Sequence, residues 1–138
     1  MDASTVGTAF LDRAQHGDDT AFDLVALDFV QHAAGPQGRE GLRETGRVLE
    51  HDLGHPRAEI HHVVAHGDLV VVHLSLHGTH SSSTMPLLAG TPVSGKEVTW
   101  RFIHIFRVSD GMIAEHWACR DDLGLLAQVG AWPPRSAI

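Results

Sequence analysis

The sequence predicts a single α+β domain over residues 1–138, in which a curved mixed or antiparallel sheet forms a cone and N-terminal helices enclose a pocket. Two observations lead to this fold class. Up to Gly54 the apolar residues recur at helical spacing, whereas from Ala58 onward the chain is rich in β-branched and aliphatic residues in extended patterns. Helices followed by a run of strands are typical of α+β proteins rather than of parallel α/β proteins.

Three helices are predicted in the first half of the chain. The first covers residues 4–16, and the second follows the Asp18–Asp19 cap, carries apolar residues from Phe22 to Val30 and ends before Gly35. The third covers residues 39–53 and ends at Gly54. In each segment the apolar residues form one stripe, so each helix is able to bury one face.

The second half is predicted to form a strand meander and a closing helix: Ala58–His66, Leu69–His80, Lys96–Val108, Met112–Cys119 and the helix Asp122–Val129. Tight turns that contain glycine join the strands within each pair. Between the two pairs lies a long loop, residues 81–95, rich in Ser, Thr, Gly and Pro. Loops of this length are uncommon unless they cover something.

Composition excludes several classes of protein. Ten Lys and Arg stand against 17 Asp and Glu, a formal net charge of −7, so no basic face for nucleic acid is expected. No apolar run approaches the roughly 20 residues that cross a bilayer, and the N-terminus lacks a signal-peptide pattern, so we expect a cytoplasmic protein. The single cysteine, Cys119, is expected to be a small buried apolar residue rather than a nucleophile.

Side-chain alternation along Lys96–Val108 predicts an aromatic pocket wall. One face carries Val98, Trp100, Phe102, His104, Phe106 and Val108. The other face is aliphatic with an arginine near each end, which suits a packed outer face or a dimer contact. Mostly apolar walls with a few polar groups are the usual composition of a small-molecule site.

The last strand adds an acidic group to this prediction. Glu115, Trp117, Cys119 and Asp121 share one face, and Trp117 as a core residue would turn Asp121 toward the pocket. His116 has the opposite parity and is left outside the predicted site. His80 lies at the end of its strand, on the apolar side.

Twelve histidines make a metal site the obvious alternative. A zinc site requires three or four converging ligands, and neither an HExxH motif nor a compact His and carboxylate spacing occurs in the sequence. We therefore expect no metal and no cofactor.

Several motifs resemble the SnoaL-like polyketide cyclases of the nuclear transport factor 2-like superfamily. They are Gly78-Thr79-His80, Thr91–Lys96, His104-Ile105-Phe106-Arg107, Asp110-Gly111-Met112-Ile113, Glu115-His116-Trp117 and Asp121 with Leu125-Leu126-Ala127-Gln128-Val129-Gly130. The clear match covers residues 69–132, and the three predicted helices agree with the family in order and length.

The resemblance implies roles for individual residues. In the founding cyclases the Asp after the Glu-His-Trp strand is the general acid–base residue of an aldol ring closure, and that role falls on Asp121. The resemblance also places His80 and His104 in the pocket and His32 at its mouth, where Phe29 precedes it on the second predicted helix. It further implies a homodimer or a higher homo-oligomer.

The predicted function is therefore a cofactor-independent cyclase or isomerase for a hydrophobic, polyketide-like carbonyl compound. Asp121 would be the acid–base residue, with His104 and His80 polarising the substrate or relaying a proton. Trp100, Phe102, Phe106 and Trp117, with His32 and Phe29, would line the substrate site. Alternative interpretations remain: Asp121 as a helix cap, His104 as a core imidazole, an epoxide-opening or hydrolytic enzyme, and a non-catalytic binding or dimerisation module.

Overall fold

One five-stranded sheet organises the computed structural model, which describes residues 2–133. The helices are α1 (Ala3–Gln15), α2 (Gly38–Asp52) and α3 (Asp122–Gln128), with short 3-10 helices at Asp19–Leu24 and Pro86–Leu88. The strands are β1 (Val25–Gln31), β2 (Arg57–His66), β3 (Leu69–Thr79), β4 (Glu97–Ser109) and β5 (Met112–Arg120). The strand order is β1-β5-β4-β3-β2, with β1 parallel to β5 and the other pairs antiparallel. The predicted α+β cone with a mixed sheet is confirmed.

The prediction of a second helix after the Asp18–Asp19 cap is wrong. Its first part is the 3-10 helix Asp19–Leu24, which Asp18 caps, and its second part is strand β1. The apolar residues of this segment fit a helical stripe, but β5 offers an open ladder, and pairing with it overrides the helical pattern. Phe29 and His32 therefore do not lie on a helix.

The core lies on the inner face of the sheet. Val70, Val72 and Leu74 of β3 face inward, and so do Val98, Trp100, Phe102 and Phe106 of β4, all with 5% exposure or less. The predicted aromatic face of β4 is thus confirmed. The opposite face of the strand is partly open in the single chain, since Ile103 is 44% exposed.

Helix α1 lies close against this face. Asp2 caps it by accepting a hydrogen bond from the Thr5 amide at 2.8 Å. The approach is close because Gly7 has no side chain, and a Cβ there would lie 2.9 Å from a methyl carbon of Val70. The helix buries Val6 and Phe10 on the sheet.

The long loop of residues 81–95 is held by a buried carboxylate. Asp52, at the end of α2, accepts hydrogen bonds from the Thr84 amide, the Thr84 hydroxyl and the Met85 amide at 2.9, 2.6 and 2.7 Å. Burial alone would raise the pKa of Asp52, but these hydrogen bonds outweigh it and hold the pKa below its usual value.

No helix in the described part of the chain is long and apolar enough to cross a membrane.

Candidate active site

A cavity of about 400 Å³ separates the inner face of the sheet from the helices. Its walls are mostly apolar, as a small-molecule site requires. The helices contribute Phe10, Leu11, Leu42 and Leu49, and the sheet contributes Gln31, Leu74, Leu76, Phe102, His104, His116, Ala118 and Arg120.

Of the nine predicted site residues, Phe102 and His104 line this cavity. Trp100, Phe106 and Phe29 are buried in the core behind its wall and do not line it. The placement of these three in the wall was wrong, because each packs into the core instead of facing the open space.

His32 and Trp117 lie on the outer side of the sheet, against each other. Their rings stack at a centroid distance of 4.6 Å and an interplanar angle of 6°. The Nε2 atom of His32 lies 2.7 Å from Glu115, whose pKa is lowered by hydrogen bonds from His32 and Arg107. The predictions that His32 lies at the pocket mouth and that Trp117 lines the pocket are therefore wrong.

The error on β5 came from taking Trp117 as a core residue, and a β-bulge accounts for its position on the outer face. Near the turn, Val108 pairs with Ile113, and continuing that register would place Glu115 opposite Phe106 on the inner face. Instead the register shifts by one residue between Ile113 and Glu115, so Phe106 pairs with His116. A one-residue shift turns every later side chain to the other face.

The inner residues of β5 are therefore His116, Ala118 and Arg120, and all three line the cavity. Sequence parity excluded His116 from the site, and that exclusion was wrong. Cys119 is exposed rather than buried, because the same shift places it on the outer face. The predicted grouping of side chains on β5 was right, but its inner face was chosen from Trp117 as a core residue, and no residue near Ala114 signals the bulge that turns Trp117 outward.

Asp121 lies outside the cavity, at the exposed end of β5. It is the N-cap of α3, and its Oδ1 atom accepts a hydrogen bond from the Gly124 amide at 3.0 Å. A Cβ on Gly124 would lie 2.2 Å from the other carboxylate oxygen, so the glycine leaves room for the cap. The prediction that this carboxylate faces the pocket is wrong, and the capping alternative describes its position.

His80 is fully buried but also lies away from the cavity. The Ser94 amide donates to its Nδ1 at 3.1 Å, so Nε2 carries the proton and donates to the Ser83 hydroxyl at 2.8 Å. The imidazole thus joins the two ends of the long loop. Its predicted place in the pocket is wrong, because both ring nitrogens are engaged by the loop.

The polar centre of the cavity is a chain of three side chains. The Nδ1 atom of His104 lies 2.8 Å from Nε2 of His116, and Nδ1 of His116 lies 2.8 Å from Oε1 of Gln31. The His104 ring is stacked between Phe102 and Phe106, with interplanar angles of 17° and 10°. His104 is enclosed by protein but keeps part of its surface open to the cavity.

One backbone amide determines the direction of both hydrogen bonds that link Gln31, His116 and His104. The Ala33 N–H can only donate, and it donates to Gln31 Oε1 at 3.1 Å, so this atom is an acceptor. His116 must then donate from Nδ1, which leaves its Nε2 as an acceptor for Nδ1–H of His104. The Nε2 atom of His104 therefore carries a lone pair, and it has no hydrogen-bond partner within residues 2–133.

Both imidazoles are neutral at neutral pH. Burial, together with the neighbouring His116, lowers the pKa of His104 to about 3. Burial lowers the pKa of His116 to about 4. The cavity thus presents an uncharged acceptor at His104, backed by a second ring that is able to take up a proton. Across residues 2–133, no three His, Cys, Asp or Glu side chains are arranged to hold a metal ion.

Solved structures of similar fold include proteins described as proposed polyketide cyclases. The chain is 28% identical to IdmH from Streptomyces antibioticus, described as a proposed polyketide cyclase, over 94% of this chain and 99% of that one, with a TM-score of 0.82. TsrD from Streptomyces laurentii is 27% identical over 92% and 93% of the two chains, with a TM-score of 0.79. AclR from Streptomyces galilaeus, described as a proposed hydroxylase, shares the fold at 18% identity, with a TM-score of 0.82 over 98% and 89%.

No curated protein matches the chain. The family model described as SnoaL-like polyketide cyclase matches residues 5–129 of its 138 residues. The match covers most of α1, the whole sheet and α3, and therefore includes His104, His116 and Gln31. This protein belongs to the SnoaL-like polyketide cyclase family.

Proposed function

We propose that the protein is a cytoplasmic, cofactor-independent acid–base enzyme of the polyketide cyclase type, in which His104 and His116 move the proton. The observation that carries the proposal is the lone pair on His104 Nε2 in an apolar cavity, with His116 hydrogen-bonded behind it at 2.8 Å. Asp121, the residue first expected in this role, caps a helix outside the cavity.

The proposed step is an aldol-type ring closure. His104 Nε2 takes a proton from the carbon next to a carbonyl, and the electron pair of that C–H bond forms the new C–C bond to a second carbonyl carbon. The oxygen of the second carbonyl becomes an alkoxide and takes the proton back from the imidazolium. Atoms and electrons balance without a cofactor.

His116 would share the positive charge during this step. When His104 gains a proton at Nε2, its Nδ1 proton is able to move along the 2.8 Å hydrogen bond to His116. Nε2 of His116 carries the lone pair that accepts this proton, so the positive charge is spread over both rings. Gln31 Oε1 then faces the cationic ring and accepts its Nδ1–H.

The low pKa of His104 limits the substrates that suit it. A weak base removes protons at a useful rate only from acidic carbons, such as those flanked by two carbonyls or by a carbonyl and an aromatic ring. An enolate formed beside the imidazolium favours the charged ring and raises the pKa of His104 in the complex. A hydrophobic β-dicarbonyl compound fits both the base and the walls.

We test this with deuterium uptake at C1 of 2-tetralone in D2O, followed by 1H NMR. The wild-type protein is expected to accelerate uptake, and His104→Ala to abolish the acceleration. His66→Ala is the matched control, because His66 is an exposed imidazole at the end of β2. Wild-type activity that survives in His104→Ala would overturn the proposal. A wild-type protein that binds 2-tetralone without accelerating uptake would instead indicate a binding module.

We also propose that the outer face of the sheet joins two copies of the chain. Ile103 is 44% exposed there, and Trp117 and Cys119 lie on the same face. Such a patch is typical of protein contacts. Ile103→Glu is expected to convert a dimer to a monomer in light scattering, and a wild-type monomer would contradict the proposal.

A further inference from the structure

Arg120 is the cationic group on the inner face of β5. It follows His116 and Ala118 on that face and pairs directly with Phe102 of the neighbouring strand. His104 pairs with Ala118, so Arg120 and His104 are diagonal neighbours across the two strands. The backbone positions of diagonal neighbours are about 7–8 Å apart, so one small ligand is able to reach both side chains.

The guanidinium of Arg120 is oriented but largely unpaired. Its Cζ atom lies 5.2 Å from the centre of the Trp100 ring, which holds the group by a cation–π contact. Its ion pair is a single contact, 3.1 Å from Nη2 to Asp122 Oδ2, with both side chains about one-third exposed. Such a pair is weak, and within residues 2–133 the other guanidinium N–H groups have no hydrogen-bond partner.

The other arginines of the cavity differ in this respect. Arg43 contacts both Asp19 and Glu40, and Arg47 contacts both oxygens of Glu44. Their charges are therefore neutralised by neighbours on the helical side. Arg120 differs in that its guanidinium contacts a single carboxylate oxygen, that of Asp122.

The space between Arg120 and His104 is suited to a flat ligand. Ala118 lies opposite His104 and carries only a methyl group, so no side chain from β5 fills the gap between the two polar groups. Phe102 and Leu74 provide apolar contacts there. One end of this space offers a lone pair and the other offers N–H donors on a cation.

We propose that Arg120 binds a carboxylate of the substrate, and that the substrate is a hydrophobic acid whose reacting end lies at His104. The inference rests on the proposed function, since it assigns the substrate class of the same site. A planar guanidinium recognises a carboxylate through two parallel hydrogen bonds, which orients the ligand as well as holding it. The carboxylate would thereby set which carbon of the substrate reaches the imidazole.

The test is a fluorescence titration with 6-hydroxy-2-naphthoic acid, which carries a carboxylate and a hydroxyl at opposite ends of a flat body. Its methyl ester is the comparison ligand, because the ester keeps the body and the hydroxyl but loses the charge. At pH 7.5 the wild-type protein is expected to bind the acid at least about tenfold more tightly than the ester. Arg120→Gln should lose that preference while its affinity for the ester stays unchanged.

The ester also controls for folding, since unchanged ester binding shows that the cavity of the variant is intact. Arg101→Gln is the matched control, because Arg101 is an exposed arginine on β4, with the opposite side-chain direction to its neighbour Phe102. It should keep the preference for the acid. Equal wild-type affinity for acid and ester, no binding of either, or an equal loss for both ligands in Arg120→Gln would overturn the inference.

The two proposals fail in different ways. If the wild-type protein does not accelerate deuterium uptake but still prefers the acid to the ester, the catalytic proposal is wrong and Arg120 remains a residue that binds the ligand. Deuterium uptake that depends on His104, without any preference for the acid, would remove only the role of Arg120.

Discussion

The Ala33 amide determines which nitrogen of His104 carries the proton, although the two groups are not in contact. Nδ1 of His104 donates to Nε2 of His116 at 2.8 Å, and the direction of this bond follows from the Ala33 N–H that occupies Gln31 Oε1. A backbone donor in the segment after β1 thus determines which nitrogen of a buried ring carries the lone pair.

This relationship predicts the tautomers of both rings. In 15N NMR spectra, Nδ1 of His104 and of His116 should be protonated and both Nε2 atoms unprotonated at pH 7. Gln31→Leu removes the acceptor, so His116 should populate both tautomers while the protein stays folded. A protonated Nε2 on wild-type His104 would contradict the proposed base.

A charge at position 31 should raise the pKa of His116. Gln31→Glu places a carboxylate against Nδ1 of a ring whose pKa is about 4, and a nearby anion favours the cationic imidazole. The pKa measured by NMR titration is expected to rise toward the ordinary histidine value. An unchanged pKa would show that the two groups are not in contact in solution.

The two imidazoles should make the fold sensitive to mild acid. Their folded-state pKa values, about 3 and about 4, lie below the ordinary histidine value of 6.5. Between these pH values the unfolded chain therefore binds more protons than the folded protein. The stability from keeping the rings neutral is fully present above pH 6.5. It falls as the pH drops toward the folded-state values, by about 1.4 kcal/mol per pH unit for each ring.

Urea unfolding between pH 7 and pH 5 measures this effect. The double variant His104→Leu, His116→Leu should show a much shallower pH dependence than the wild-type protein. The lowered pKa values of Asp52 and Glu115 act with the same sign but below the ordinary values of carboxyl groups, so they contribute little in this range. Equal slopes for the two proteins would mean that the rings are accessible to protons in the folded state.

Asp121 should contribute to stability and not to the chemistry. Asp121→Ala removes a helix cap and is expected to lower the free energy of unfolding by about 1 kcal/mol. Deuterium uptake per folded molecule should stay near the wild-type rate. A loss of several orders of magnitude in that rate would restore the original assignment of this carboxylate to the reaction.

Removal of the Asp52 carboxylate should release the long loop. Asp52→Ala leaves the buried Met85 amide and the partly buried Thr84 amide and hydroxyl without their acceptor, which we expect to cost about 2–4 kcal/mol of stability. Amide hydrogen exchange in residues 81–95 should accelerate more than in β4. Asp68→Ala, at the exposed turn between β2 and β3, is the control and should change neither quantity.

Side-chain alternation predicted much of the fold because β4 is regular. Trp100, Phe102 and Phe106 face inward as their spacing indicates, and β4 also places His104 in the cavity wall. Alternation also grouped the side chains of β5 correctly, but the choice of its inner face relied on Trp117 as a core residue, and a bulge beside Ala114 turns Trp117 outward. A bulge arises from how two strands twist and pair, which is a tertiary property that no residue in this segment specifies.

The helix predicted in place of strand β1 has a similar origin, because strand pairing decided the structure there. The segment that contains Phe29 satisfies a helical stripe and a strand about equally well, and the open edge of β5 decides between them. Since Gln31 lies on the same strand, the acceptor for His116 could not be found without that pairing.

The shift on β5 also bears on how such a protein could evolve. The strand carries two interleaved sets of side chains, His116 with Arg120 and Glu115 with Trp117, and the shift determines which set meets the substrate. Deleting one residue at Ala114 would exchange an imidazole and a guanidinium for a carboxylate and an indole. A single codon lost or gained at that hairpin would therefore give the inner face of the same sheet a different chemistry, with no substitution in the strand itself.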